Sequence, residues 1–267
     1  MAVIQVNYMS QALWRIVPLQ VILPADKADT EGNLLPIRKY KTLYLLGGMH
    51  GSQNDWVVNT RIRIWAEERN LAVVMPAGEN AFYVDQEDSH RRYGEFVGRE
   101  IVEITRRMFP LSDKREDTFI GGLSMGGFGA LRNGLNFPKT FGAVICLSGA
   151  VDILSAPKVG EDLVLGEAMF GPLEEAVRSD KNPRVLIEKL KKAKVRPSIY
   201  LCCGTEDRLL PQSRAFRTLL EDAGFDLTYV EGPGNHNWDF WDTYIKKALD
   251  WLPLDDLSQG KNSGNID

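Results

Sequence analysis

From residue 41 onward the apolar positions gather into short unbroken runs: KTLYLL, LAVVMP, TFIGGL, FGAVICLS, PSIYLCCG and LTYVEG. Runs without polar alternation are what strands need when helices cover both faces of a mostly parallel sheet. Between the runs, residues 55–69, 94–109, 125–136, 209–223 and 237–252 place apolar side chains at helical spacing. This alternation predicts right-handed βα units with helices on both faces. Ahead of them, AVIQVNY and LWRIVPLQVIL are rich in β-branched residues and run into the turn-forming PADKADTEGNLLP, which predicts an antiparallel pair.

Residues 151–196 break the rhythm. They contain no convincing strand, but two amphipathic stretches, LEEAVRSD and NPRVLIEKLKKAK, with Asn182-Pro183 between them as a helix start. Either this is a long crossover or an excursion over the carboxyl edge of the sheet that shapes a ligand pocket. The chain is therefore divided into a single α/β domain over residues 1–257, with a helical excursion at 151–196. The polar stretch SQGKNSGNID at 258–267 is expected to be a disordered tail.

Composition narrows the partners rather than the fold. A 267-residue chain that is 44% hydrophobic and carries a formal net charge of -4 is an ordinary globule with no electrostatic reason to bind nucleic acid or an anionic membrane. No apolar run reaches the length of a membrane span, and the N-terminus lacks the three-part pattern of a signal peptide, so a cytoplasmic protein is expected. Cys146, Cys202 and Cys203 have neither zinc-ligand nor disulfide spacing and read as buried structural thiols. No metal or cofactor is expected.

The candidate chemistry begins at GGLSMGGFGA, residues 121–130. Gly122-Leu123-Ser124-Met125-Gly126 fits G-x-S-x-G between a strand and a helix, the nucleophile elbow in which a strained serine projects over the sheet edge. Gly122 and Gly126 leave room for that turn, whereas Gly121, Gly127 and Gly129 are expected to let strand and helix pack closely. A phosphate-binding glycine loop is disfavoured, because Gly127 and Gly129 fall inside the helix.

A serine hydroxyl needs a base and an acid to orient it. Of three histidines, only His236, in GPGNHNWDFW, follows the Ser, acid, His order of doubly wound hydrolases. Asp207, in CCGTEDRLLP, directly follows a strand and is the expected acid; Glu206 is its rival, and Asp226 sits at the wrong strand end. His90, in a charged stretch, reads as a surface residue. An oxyanion also needs donors, and the backbone N–H groups of Met125 and of Met49, beside Gly47-Gly48, are the candidates.

Taken together, these motifs resemble the esterase D family of α/β-hydrolases. LYLLGGMHGSQNDW resembles that family's L-L-H-G-x-x-G-x-x-x-D-W, GLSMGGFGAL its elbow, GTEDRLL its acid loop, and GNHNWDFWDTYIKKALDWLPL its histidine loop and closing helix. VNYMSQALWRIVPLQVILP, NLAVVMPAGENAFYVD and FPLSDKREDTFIGGLSMGGFGALRNGL are similar to the bacterial tributyrin esterases within it. The resemblance spans residues 2 to about 253 and implies an α/β-hydrolase fold with an antiparallel N-terminal strand pair.

It also implies a nucleophile at Ser124, its triad partners at Asp207 and His236, and oxyanion donors at Met49 and Met125. One departure stands out: Gly47-Gly48 replaces the family's His-Gly, whose histidine braces the loop. His50 nearby either compensates or narrows the pocket.

The activity implied is that of a serine carboxylesterase cleaving short-acyl esters, acetyl to butyryl, with acetylated or cinnamoylated carbohydrate as further substrates. The partner is a small-molecule ester, and homo-oligomerisation is left open. S-formylglutathione hydrolysis is the alternative, disfavoured by Phe128 where such enzymes carry histidine; acyl transfer to sugar or lipid is weaker. A non-catalytic binder on the same scaffold would have no need of Ser124, Asp207 and His236 together. Among the loop aromatics Trp56, Phe82, Tyr83 and Trp238, the residues expected to line the substrate site are Trp56 and Trp238, with Gly48.

Overall fold

The computed structural model describes residues 1–86, 90–155 and 161–254. In chain order the elements are β1 (Ala2–Ser10), β2 (Arg15–Leu23), β3 (Thr42–Leu46), α1 (Asp55–Asn59), α2 (Ile62–Glu68), β4 (Ala72–Pro76), β5 (Asp85–Gln86), β6 (Arg91–Arg92) and α3 (Tyr93–Glu95). After a π-helical turn at Phe96–Glu100 come α4 (Ile101–Met108), β7 (Thr118–Leu123), α5 (Met125–Asn136), β8 (Ala143–Leu147), α6 (Glu161–Phe170), α7 (Leu173–Ala176) and α8 (Pro183–Leu190). The chain continues through β9 (Ser198–Gly204), α9 (Leu210–Asp222), β10 (Leu227–Gly232) and α10 (Trp238–Trp251).

One sheet runs in the order β1-β2-β4-β3-β7-β8-β9-β10. The first pair is antiparallel, β2 is antiparallel to β4, and every later neighbour is parallel. This is the arrangement of an α/β-hydrolase, as expected. The unbroken apolar runs have a direct cause: successive residues of one strand enter different cores. In β3, Leu43 and Leu45 pack into one cluster with Trp65 and Ile245, while Tyr44 and Leu46 pack into the other with Phe128 and Phe216. Helices α2 and α10 cover the first face, and α4, α5, α8 and α9 the second.

Three helical expectations need correction. The segment 55–69 is two helices, because Thr60 is extended and its hydroxyl bonds back to the Trp56 carbonyl while accepting from the Ile62 N–H. The segment 94–109 is interrupted by the π turn, where Gly98 lies against the Phe137 ring so closely that a Cβ would clash with it. Between 151 and 196 the chain forms α6, which the periodicity did not reveal because its apolar residues do not fall on one stripe. LEEAVRSD yields only the short α7. Asn182 does cap α8, accepting from the Arg184 N–H at 3.0 Å with Pro183 in the first turn. The expected tail at 258–267 lies outside the described residues.

Candidate active site

The site is assembled from three turns at the carboxyl ends of β7, β9 and β10. Ser124 sits between β7 and α5 with φ 53° and ψ -117°, a conformation that costs an L-residue free energy and persists only where its surroundings impose it. The surroundings do so from both sides. The Ser124 N–H donates to the Leu147 carbonyl at 3.0 Å, and its carbonyl accepts from Phe128 and Ala150.

The glycines flanking it are required by close backbone approach. A Cβ on Gly126 would lie 2.6 Å from the Gly47 carbonyl oxygen and closer still to that of Leu46, and one on Gly122 would collide with the Gly126 carbonyl. A Cβ on Gly127 would lie 2.8 Å from the Gly149 Cα and 3.0 Å from the Leu147 carbonyl oxygen, the close helix-on-strand packing expected from sequence, whereas one on Gly129 would run into the Tyr83 ring, so that glycine makes room for a loop side chain instead.

His236 and Asp207 meet this serine across the chain. His236 Nε2 lies 3.0 Å from Ser124 Oγ, and its Nδ1 lies 2.8 Å from Asp207 Oδ2. Burial raises the Asp207 carboxyl, but the hydrogen bonds it accepts from His236 and from the Leu209 N–H outweigh this and hold it below its ordinary range. An ionised carboxylate only accepts, so Nδ1 carries the proton and Nε2 of the neutral ring is free to accept from the serine hydroxyl. Such an arrangement can take a proton from Ser124 and return it to a leaving group.

The rivalry between adjacent acids is resolved by how two loops cross. Gly204 lies so close to the Gly234 carbonyl that a Cβ would not fit, and the Thr205 and Glu206 N–H groups donate to Gly232 and Gly234. That crossing turns Asp207 inward, 3% exposed, and leaves Glu206 in solvent. Asp226 is also exposed.

Beside the serine, Met125 begins α5 at the positive end of the helix dipole. Met49 follows Gly48, where a Cβ would lie 3.7 Å from the Cβ of Ser124. Among the described residues the N–H groups of Met49 and Met125 make no hydrogen bond within the protein, which leaves both donors available to a ligand.

The loop that carries Met49 is braced by groups that sequence reasoning did not find. The Tyr83 hydroxyl donates to the Gly47 carbonyl at 3.1 Å, and Asn80 Oδ1 accepts from the His50 N–H at 2.7 Å. Asp55 Oδ1 accepts from the N–H and hydroxyl of Ser52. His50 itself is exposed, with φ 63°.

Trp56 corrects an expectation. It does not face a ligand but is 1% exposed, donating its indole N–H to the Leu46 carbonyl at 3.1 Å. Trp238 is half-buried at the start of α10, edge-on to Trp56 and to Trp241, and Trp241 in turn meets the His236 ring at 5.0 Å. Phe82 and Tyr83 are likewise buried; Phe82 joins Phe128 and Phe170 in an aromatic cluster. His90 stacks on Trp14, away from the triad. The three cysteines are free and buried, and burial pushes their thiols up, that of Cys203 to about 12, so none is a thiolate near neutrality. Among the described residues no helix is long and apolar enough to cross a membrane.

Fold and site define the class: this is a serine esterase of the α/β-hydrolase fold. The family model described as "Putative esterase" matches residues 10–252, and the chain belongs to that family. It is 42% identical to an acetyl esterase of Caldicellulosiruptor saccharolyticus over 261 residues, covering 94% of this chain and 98% of that one. Among solved structures it is similar to the substrate-bound fluorophosphonate-binding serine hydrolase F of Staphylococcus aureus, with a TM-score of 0.83 and 29% identity over 95% of this chain and 99% of that one. It is also similar to an S-formylglutathione hydrolase of Staphylococcus aureus, with a TM-score of 0.81 and 29% identity over 94% and 98% of the two chains.

Proposed function

We propose that this esterase hydrolyses short-acyl esters, acetyl to butyryl, through an acyl-enzyme on Ser124. In this reading His236 takes the Ser124 proton as the hydroxyl attacks the ester carbonyl, and Asp207 stabilises the imidazolium that forms. Met49 and Met125 N–H groups receive the oxyanion. His236 then protonates the leaving alcohol, and a water activated by the same ring releases the acid.

The observation that carries the proposal is the continuous Ser124, His236, Asp207 contact, with distances of 3.0 and 2.8 Å. The acetyl esterase relative supports the acetyl end of that range, and the sequence resemblance supports its extension to butyryl and a place among esterase D proteins near the tributyrin esterases. A half-buried Trp238 beside the His236 loop supports an apolar wall for the ester. Cytoplasmic placement belongs to the same proposal, to be read by fractionation, and light scattering reads whether the protein is a monomer or a homo-oligomer.

The test is Ser124→Ala assayed on p-nitrophenyl acetate and butyrate, where turnover should fall by at least about a thousandfold. Unchanged kcat would reject Ser124 as the nucleophile. A second arm compares kcat/KM for p-nitrophenyl acetate through octanoate with that for S-formylglutathione. A dominant thioester rate would replace the ester reading with that of the formylglutathione hydrolases, one of which is a structural neighbour.

A further inference from the structure

Asn133 stands on α5, the helix that Ser124 opens, and is fully buried. Asparagine is a poor residue for a helix interior, and a buried amide has to find partners at both of its ends. Here it has three. Its Nδ2 donates to the Tyr83 carbonyl at 2.9 Å and to the Gly129 carbonyl at 2.8 Å, while its Oδ1 accepts from Arg132 Nη1 at 2.8 Å. Chemistry fixes this orientation of the amide, because a guanidinium only donates and a carbonyl only accepts.

The bond to Tyr83 leaves the helix and reaches a strained segment. Phe82 and Tyr83 have φ of 50° and 55°, a region that bulky side chains seldom adopt and that persists only where the surroundings impose it. Asn133 holds the Tyr83 backbone at its carbonyl, and at the far end of the same residue the hydroxyl donates to the Gly47 carbonyl at 3.1 Å. Between these two points the ring is confined by Gly78 and Gly129, at neither of which a Cβ would fit beside it. One amide and one phenol thus join α5 to the loop that presents Met49.

Arg132 anchors the other end of the amide. Its guanidinium is fully buried and donates to the Asp180 carbonyl at 2.9 Å and to the Asp180 carboxylate at 2.6 Å, so the turn before α8 holds the group that orients Asn133.

We infer that Asn133 is a positioning residue for the oxyanion site: by locking Tyr83 in its strained conformation it sets where the Tyr83 hydroxyl holds Gly47, and so where the Met49 N–H points. The inference rests on the reading of Met49 as an oxyanion donor.

The test uses p-nitrophenyl butyrate as substrate and butylboronic acid as a mimic of the tetrahedral intermediate, on the full-length protein. Asn133→Asp keeps the shape and the bond from Arg132 but loses the donor, and Asn133→Ala removes the amide altogether. Each should lower kcat about tenfold and weaken boronic acid binding by a similar factor, with KM held within about twofold. Because Asn133 acts through Tyr83, the double variant Asn133→Asp with Tyr83→Phe should be no slower than the slower of the two single ones. Unchanged kcat, a loss carried by KM, or single losses that multiply in the double variant overturn the inference. Loss of folding in both Asn133 variants overturns it as well, since the amide would then support the fold and not the loop. If Tyr83→Phe weakens boronic acid binding and the Asn133 variants do not, only the role of Asn133 falls; if Tyr83→Phe has no effect, the reading of Met49 falls with it.

Discussion

The Tyr83 hydroxyl donates to the Gly47 carbonyl at 3.1 Å and so holds the loop that presents Met49 to Ser124. In the loop pattern that this segment resembles, a histidine stands at the position that Gly47 occupies; in this chain the loop is held from a different segment. Burial raises the Tyr83 phenol, which keeps it a neutral donor across the working range. Tyr83→Phe keeps the ring that packs on Gly129 and removes only the donor. It should lower kcat about tenfold and stability by about 1–2 kcal/mol, since a buried carbonyl loses its partner. Steady-state kinetics with p-nitrophenyl butyrate and urea unfolding check both; an unchanged kcat would show that the loop holds its shape without Tyr83.

The glycines around the site should separate sharply by position. At Gly47 a Cβ would find only the Ser52 carbonyl oxygen, at an ordinary 3.7 Å, so Gly47→Ala should fold and keep kcat within about threefold. At Gly126 the same atom would press into the Leu46 and Gly47 carbonyls, so Gly126→Ala should lose the loop geometry or the fold, at a cost above about 3 kcal/mol. Thermal melts and kinetics of the two variants side by side decide this, and equal behaviour would refute the steric account.

Acid stability offers a third check, at the strand end that leads into the His236 loop. Glu231 in β10 is pulled from its ordinary 4.5 to about 2, first by its hydrogen bonds to Arg214 and then by that from the Tyr229 hydroxyl. A carboxylate depressed in the folded state stabilises it fully above the unfolded value and progressively less as pH falls through the folded one. Glu231→Gln should therefore be less stable than the parent at pH 6, with the difference shrinking below about pH 4.5 and vanishing near pH 2. Urea midpoints across that range measure it; a difference independent of pH would mean that the pair contributes through packing alone.

Much of the fold was legible because two-sided burial leaves a plain signature. The runs that became β3, β4, β7 and β8 are buried at every position and apolar at all but Thr42 and Thr118, whereas the helix interiors and the half-buried edge strand β10 departed from expectation. The break at Thr60 and the π turn beside Gly98 arise from a side-chain bond and from the approach of Phe137, neither of which alters the apolar spacing. Trp56 was misassigned for a similar reason: an aromatic residue after a loop reads the same whether it turns to solvent or donates to the Leu46 carbonyl.

By itself the sequence determined the elbow, because G-x-S-x-G between a strand and a helix encodes a local backbone turn, and it determined the order of Ser124, Asp207 and His236 along the chain. Only the tertiary structure decided which acid reaches the imidazole, since Glu206 and Asp207 differ by the crossing of Gly204 over Gly234. The same holds for the brace on Gly47. Each depends on which distant groups share a small volume, and that is set by how the sheet stacks its turns rather than by any spacing within one segment.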